Sequence, residues 1–398
     1  MSNLFSNQKP DPPLISFFRG LAMCLFTWMN YVGSFKADPE KAFGVNESIL
    51  KDWTFLSVIA IVACFVFVFV FVNKSERQQM IARMKSLKIL FFFSLYLIVS
   101  TVLFPSELGV EKAKRFIIFN LFACLLFVGL TRKPKDLVVF LGFIVVFGLV
   151  MSSISFLFQA RHPFHFLATG DNYSRSWTYI QYGALATSAG TILIIWSVEA
   201  FSNIALKIAS VGGVLLCLLG VIYSGERGSI LFVPFIFVCY LFSSRRIFQF
   251  VSWKFLWIGL AVVAVIFGTA KFMQTEMGQV FLARLDKLGI FNDQSSEVDI
   301  RLNSESDYFK PFLENLSKNP LLGSGLGNYF GVDEKGYPHN MFLEIGGELG
   351  FSGLVFYFLI LFFAFQGYRA MKRRCPPGIS YAYLAVFLLF FFRTFKSE

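Results

Sequence analysis

The sequence predicts an all-α fold, a polytopic integral membrane bundle of about eleven helical spans with one helical loop outside the membrane. Three observations predict it. Hydrophobic residues make up 56% of the 398-residue chain and charged residues only 15%, where an ordinary soluble domain carries about 25% charged residues. The apolar residues gather in stretches near the roughly 20 residues that cross a hydrocarbon core: 14–35, 54–72, 87–104, 115–130, 136–158, 180–199, 204–223, 229–243, 253–270, 340–366 and 380–395. A single long polar segment, 271–339, interrupts them. A cytosolic enzyme and a disordered chain are thereby excluded. The net charge of +11 does not indicate a nucleic-acid partner. Such proteins gather Lys and Arg on one soluble face, whereas here the basic residues punctuate apolar runs. The partner implied by composition is membrane lipid.

Taken in order, the first span carries Arg19 near one end, where it is expected to snorkel to the headgroups. The second contains Val66-Phe67-Val68-Phe69-Val70-Phe71-Val72. A barrel strand would alternate apolar with polar residues; here both alternating positions are apolar, so this run reads as helix. Alternate short loops hold Lys74, Arg77, Arg83, Lys85 and Lys88, then Arg132, Lys133 and Lys135, then Arg245, Arg246 and Lys254, then Arg369, Lys372, Arg373 and Arg374. The other loops are poorer in Lys and Arg and mix in Glu107 and Glu111, so the positive-inside rule places the N-terminus in the cytoplasm. The polar segment then faces outward. Residues 1–270 read as spans one to nine, 271–339 as a periplasmic helical lid, and 340–398 as spans ten and eleven. No cleavable leader is expected, because the first residues are polar and Pro-rich and the first span is followed by others. Five of the six cysteines fall within spans and Cys375 on a basic loop, so they read as small apolar fillers, not as a disulfide framework.

Unusual polar residues concentrate on the outward face. Leu302, Phe309, Phe312, Leu313 and Leu316 recur as one side of an amphipathic helix that Asn319-Pro320 stops. Next comes Gly323-Ser324-Gly325-Leu326-Gly327. With no strand ahead of it, this is not a dinucleotide fingerprint; it reads either as a flexible tight turn or as a contact for phosphate through its N–H groups. His162 and His165 lack a third metal ligand. His339 precedes Asn340 at the start of a span, with Glu344 and Glu348 on the following turns. It reads either as a structural cap or as a base able to take a proton at neutral pH. Glu226 and Arg227 occupy a very short turn between the seventh and eighth spans, as an anchoring pair or as an anion clamp. Arg301 on the lid would be a second clamp. Two guanidiniums and an imidazole on one face suit transfer of a sugar from a lipid diphosphate. The arginines would neutralise the leaving group and the histidine would accept the acceptor's proton. No Asp-x-Asp pair or metal-ligand cluster stands on that face.

These residues resemble the O-antigen ligase/polymerase family. The resemblance rests on Ser224-Gly225-Glu226-Arg227-Gly228, Arg301, Asn319-Pro320-Leu321-Leu322-Gly323-Ser324-Gly325-Leu326-Gly327, and Pro338-His339-Asn340-Met341-Phe342-Leu343-Glu344 with Glu348-Leu349-Gly350-Phe351-Ser352-Gly353-Leu354. It covers about 204–366. It implies a metal-independent, inverting membrane glycosyltransferase that needs no cofactor and moves a glycan from an undecaprenyl-diphosphate donor to an acceptor hydroxyl. By the resemblance His339 is catalytic, Arg227 and Arg301 bind the diphosphate, and Glu226, Asn340 and Glu344 support them. The expected activity is that of an O-antigen ligase with lipid A–core as acceptor, in the bacterial inner membrane and facing the periplasm. A polymerase of the same family is the alternative, acting on another glycan acceptor. A lipid-linked glycan flippase or transporter is the alternative from another class, but would place ionisable residues within the bundle. The family pattern adds a twelfth helix.

Overall fold

In lipid a backbone must satisfy its own N–H and C=O groups, and every regular element among the described residues of the computed structural model is a helix. The structure describes residues 11–31, 53–157, 178–224, 312–328 and 341–395. The expected spans at 229–243 and 253–270 lie outside these residues, as do the sites expected at Glu226, Arg227, Arg301, His339 and Asn340. The helices are α1 (Pro13–Tyr31), α2 (Trp53–Phe71), α3 (Lys74–Lys85), α4 (Lys88–Leu103), α5 (Glu107–Leu130), α6 (Pro134–Leu157), α7 (Thr178–Glu199), α8 (Ile204–Ser224), α9 (Met341–Arg374) and α10 (Pro377–Phe395). Three of them begin on proline, whose fixed φ and missing N–H suit the first helical position. By length and apolarity alone α5, α6, α8 and α9 qualify as membrane crossings. The chain is a helical membrane protein.

The α1 helix packs on α2 and α6, α7 packs between α6 and α8, and α10 lies on α7. Leu141, Ile144, Leu185, Ile192 and Ile379 form the largest apolar core there. A second apolar cluster, Phe93, Leu97, Ala113, Leu326 and Leu349, joins α4, α5 and α9 to the glycine turn. Val102, Leu157 and Ile204 are exposed, as befits side chains that face lipid.

Four expectations change. The residues Glu107–Arg115, taken as a loop, form the first turns of α5, because the Ser106 hydroxyl caps them by accepting from the Gly109 N–H at 2.9 Å. Past a wide π turn over Phe116–Phe122 the same helix continues to Leu130. Likewise α9 runs on to Arg374, so the basic cluster from Arg369 is helical. Leu313, placed on the apolar side of the lid helix, is exposed while Phe312 is buried. The helical segment 312–318 is pinned by Phe312, which approaches Phe342 and Gly346.

Arg19 is the fourth. It does not snorkel but is buried, donating to the Leu130 carbonyl and to Glu76 at 3.3 Å. Glu76 also accepts from Arg83 at 3.0 Å and faces Arg132 at 3.2 Å, and Arg132 in turn pairs with Asp11. Arg83 donates to the Gly129 carbonyl at 2.9 Å. Two guanidiniums thus satisfy the orphaned carbonyls at the C-terminus of α5, where the helix dipole favours cations. A buried partner was available, and an arginine reaching for headgroups would have left those carbonyls unpaired.

Candidate active site

At the opposite end of α5, the glycine turn 319–328 is wedged between α9 and the α4–α5 corner. The cause lies in α9. Gly350 has φ 63° and ψ −162°, a conformation open essentially to glycine alone, and it breaks the helical hydrogen-bond ladder. The freed groups pair with the turn. Phe351 and Ser352 donate their N–H groups to the Pro320 and Leu321 carbonyls at 2.8 and 3.2 Å. The Gly347 and Glu348 carbonyls accept from Ser324 and Gly325 at 2.9 and 2.8 Å. The Leu349 carbonyl accepts from the Tyr96 hydroxyl at 2.7 Å. On its other side the turn accepts from Ser106 at the Leu326 carbonyl, at 2.9 Å, and donates from the Leu326 N–H to the Ser100 hydroxyl at 3.3 Å.

Contact this close admits no side chain. A Cβ on Gly350 would lie 2.6 Å from the Leu321 carbonyl carbon, one on Gly323 2.5 Å from that of Glu348, and one on Gly109 2.1 Å from the Leu326 oxygen. The glycines at 323, 325 and 327 all have positive φ. They serve a clasp hydrogen-bonded on both sides, and the tight-turn reading holds. The phosphate-contact reading fails. The N–H groups of Gly323, Ser324, Gly325, Leu326 and Asn328 are spent on partners within the protein, and that of Gly327 is directed at the Glu348 carboxylate.

Beside the clasp lies an ionic cluster. Lys112 of α5 donates to Glu344 at 2.6 Å and to Glu348 at 2.7 Å, both on one face of α9. The Glu348 side chain is 4% exposed and that of Glu344 14%. Carboxylates removed from water in this way are costly unless paired, and Lys112 supplies the charge. Among the expected site residues, Glu344 is the one the structure describes, and it sits in this cluster. Lys112 escaped sequence reasoning because it was assigned to a loop; Pro105-Ser106-Glu107, a cap ahead of an acidic first turn, was the signal that α5 starts earlier. Tyr96 carried no signal. Upstream, α8 ends at Ser224, immediately before Glu226 and Arg227.

Residues 212–358 match the O-antigen ligase family model. The chain carries an O-antigen ligase domain. The match spans the end of α8, the polar segment, the glycine clasp, Glu344, Glu348 and Gly350, while Lys112, Tyr96 and Ser106, which contact the clasp and α9, lie outside it. The match is to a glycosyltransferase-like family of membrane enzymes, the ligases and polymerases, whose substrates are in general lipid-linked glycans and their acceptors. No curated protein matches the chain.

Proposed function

We propose that this protein is an O-antigen ligase, which transfers a glycan from undecaprenyl diphosphate to a hydroxyl of lipid A–core at the periplasmic face of the bacterial inner membrane. In this reading residues 271–339 are a periplasmic lid between spans one to nine and the last two. The observation that carries it is the family match, whose span contains Arg227, Arg301 and His339 in order. His339 stands just ahead of a helix whose first turns are fixed by Lys112 and the clasp.

The chemistry balances without a further reactant. The neutral His339 imidazole takes the proton of the acceptor hydroxyl as its oxygen attacks the anomeric carbon. The bond from that carbon to the diphosphate oxygen breaks with inversion, and the leaving diphosphate keeps the electron pair. Arg227 and Arg301 neutralise the charge that develops on it, since guanidinium matches phosphate oxygens bidentately. Glu226, Asn340 and Glu344 are supporting residues. The reaction needs no metal, so transfer by the purified protein is expected to continue in chelator. Loss that added metal restores would overturn this part.

Deletion of the gene followed by a lipopolysaccharide gel tests the activity. The expected result is loss of all O-antigen, with finished polymer accumulating on the lipid carrier. Core capped by a single repeat would instead assign a polymerase, and lipid-linked units accumulating on the cytoplasmic side would assign a flippase. His339→Ala is expected to abolish transfer at normal membrane levels, and an active, folded variant would remove His339 from the mechanism.

A further inference from the structure

We propose that Lys112 is a positioning residue for glycan transfer: by drawing Glu344 and Glu348 onto one ammonium it sets the first turns of α9, which follow His339 directly in the chain, against the α4–α5 corner. The inference rests on the reading of His339 as the base. Lys112 itself touches no reacting atom and acts through α9.

Connectivity makes the first argument. The clasp holds the chain up to Asn328, whose side-chain amide approaches the Phe104 and Ser324 carbonyls, and α9 takes it up again at Met341. The described residues on either side of the segment carrying His339 therefore belong to a single platform. On its re-entry side the backbone bonds of the clasp begin only at Gly347. Ahead of Gly347, Lys112 holds Glu344 on one side and Phe312 packs against Phe342 and Gly346 on the other.

The chemistry of the contact makes the second. Phe93, Leu97, Ala113, Leu326 and Leu349 already join α4, α5, the turn and α9, so adhesion does not require ions here. Apolar replacement of a buried ion pair is often neutral or stabilising. What an ion pair adds is direction: an ammonium bonded to carboxylates on successive turns fixes both the rotation and the height of α9. Such control matters to chemistry, where misplacement by about 1 Å costs on the order of a hundredfold in rate.

The test uses the full-length protein, purified in detergent, with undecaprenyl-diphosphate-linked oligosaccharide as donor and lipopolysaccharide core lacking O-antigen as acceptor. Lys112→Met is expected to lower kcat by on the order of a hundredfold with the donor KM essentially unchanged. Lys112→Arg, which keeps the charge at another reach, is expected to give an intermediate kcat. Because Lys112→Met leaves two carboxylates unneutralised, Lys112→Met with Glu348→Gln is the decisive variant, since its cluster has the same net charge as the natural one. It is expected to regain membrane level and thermal stability but not turnover. Wild-type kcat in the double variant or in Lys112→Arg would overturn the inference, and so would a change confined to the donor KM. His339→Ala separates the two failures. If that variant is active, the reading of the base has failed; if it is dead while the double variant turns over normally, only the role of Lys112 has.

Discussion

The two ends of α5 each hold buried charge, and they hold it differently. At the Leu130 end, Arg19, Arg83 and Arg132 surround Glu76 and Asp11, and two of the guanidiniums also satisfy the last carbonyls of the helix. At the Glu107 end, about 35 Å away along the helix, a single ammonium serves two carboxylates beside a helix broken at Gly350. The first network is rich in cations, closes a helix terminus and lies outside the matched residues 212–358. The second is rich in carboxylates and sits at the start of the helix that follows His339. Buried charge alone therefore does not mark a site in this molecule. Its neighbourhood does.

Four substitutions break or sharpen that contrast, from the largest expected effect down. Gly350→Ala places a Cβ 2.6 Å from the Leu321 carbonyl carbon at positive φ. Strain of about 1–3 kcal/mol, with the overlap added, is expected to abolish folded protein in the membrane, as read by fluorescence size exclusion. Normal levels would show that the clasp yields. Arg19→Ala leaves Glu76 and Asp11 short of a partner. It is expected to cost about 3–5 kcal/mol, seen as a lower Tm, while transfer per folded molecule stays at the wild-type rate. A fall in kcat equal to that of Lys112→Met would erase the distinction between the two ends.

Tyr96→Phe removes one hydrogen bond, to the Leu349 carbonyl. A loss of about 1 kcal/mol is expected, measured as a drop in Tm of a few degrees with a small effect on turnover. The smallest effect is on pH dependence. Burial pushes the Glu76 carboxyl up, but the hydrogen bond from Arg83 and the charges of Arg132, Arg83 and Arg19 outweigh it and hold the group below its ordinary value of 4.5. A depressed carboxyl stabilises the fold fully above its unfolded pKa, and that stabilisation is lost as pH falls through the folded value. Glu76→Gln is accordingly expected to flatten the decline in Tm below about pH 4.5. An unchanged acid limb would show that Glu76 is not the group responsible.

Much of the helical layout was legible in the sequence, because a span announces itself by composition over a continuous window. The run from Trp53 to Phe71 is helical as its unbroken apolarity required, and Asn319-Pro320 ends its helix where expected. Legibility failed where polar residues continue a helix. Glu107–Arg115 has the composition of a loop, and a single hydroxyl, Ser106, makes it the start of α5. The glycine turn was recognised as a tight turn, but not the partners that occupy its N–H groups, several of which belong to α9 and α4. Glu344 was singled out as a supporting residue, yet nothing in its surroundings named its partner.

The sequence by itself determined that this is a helical membrane protein with an O-antigen ligase motif region, because hydrophobicity and motif spacing are local properties of the chain. Tertiary structure decided which charges meet. Lys112 and Glu344 are separated by 232 positions and Arg19 and Glu76 by 57. No periodicity links such residues; the packing of helices does, because a charge denied water must find its counter-charge wherever the fold brings one within reach.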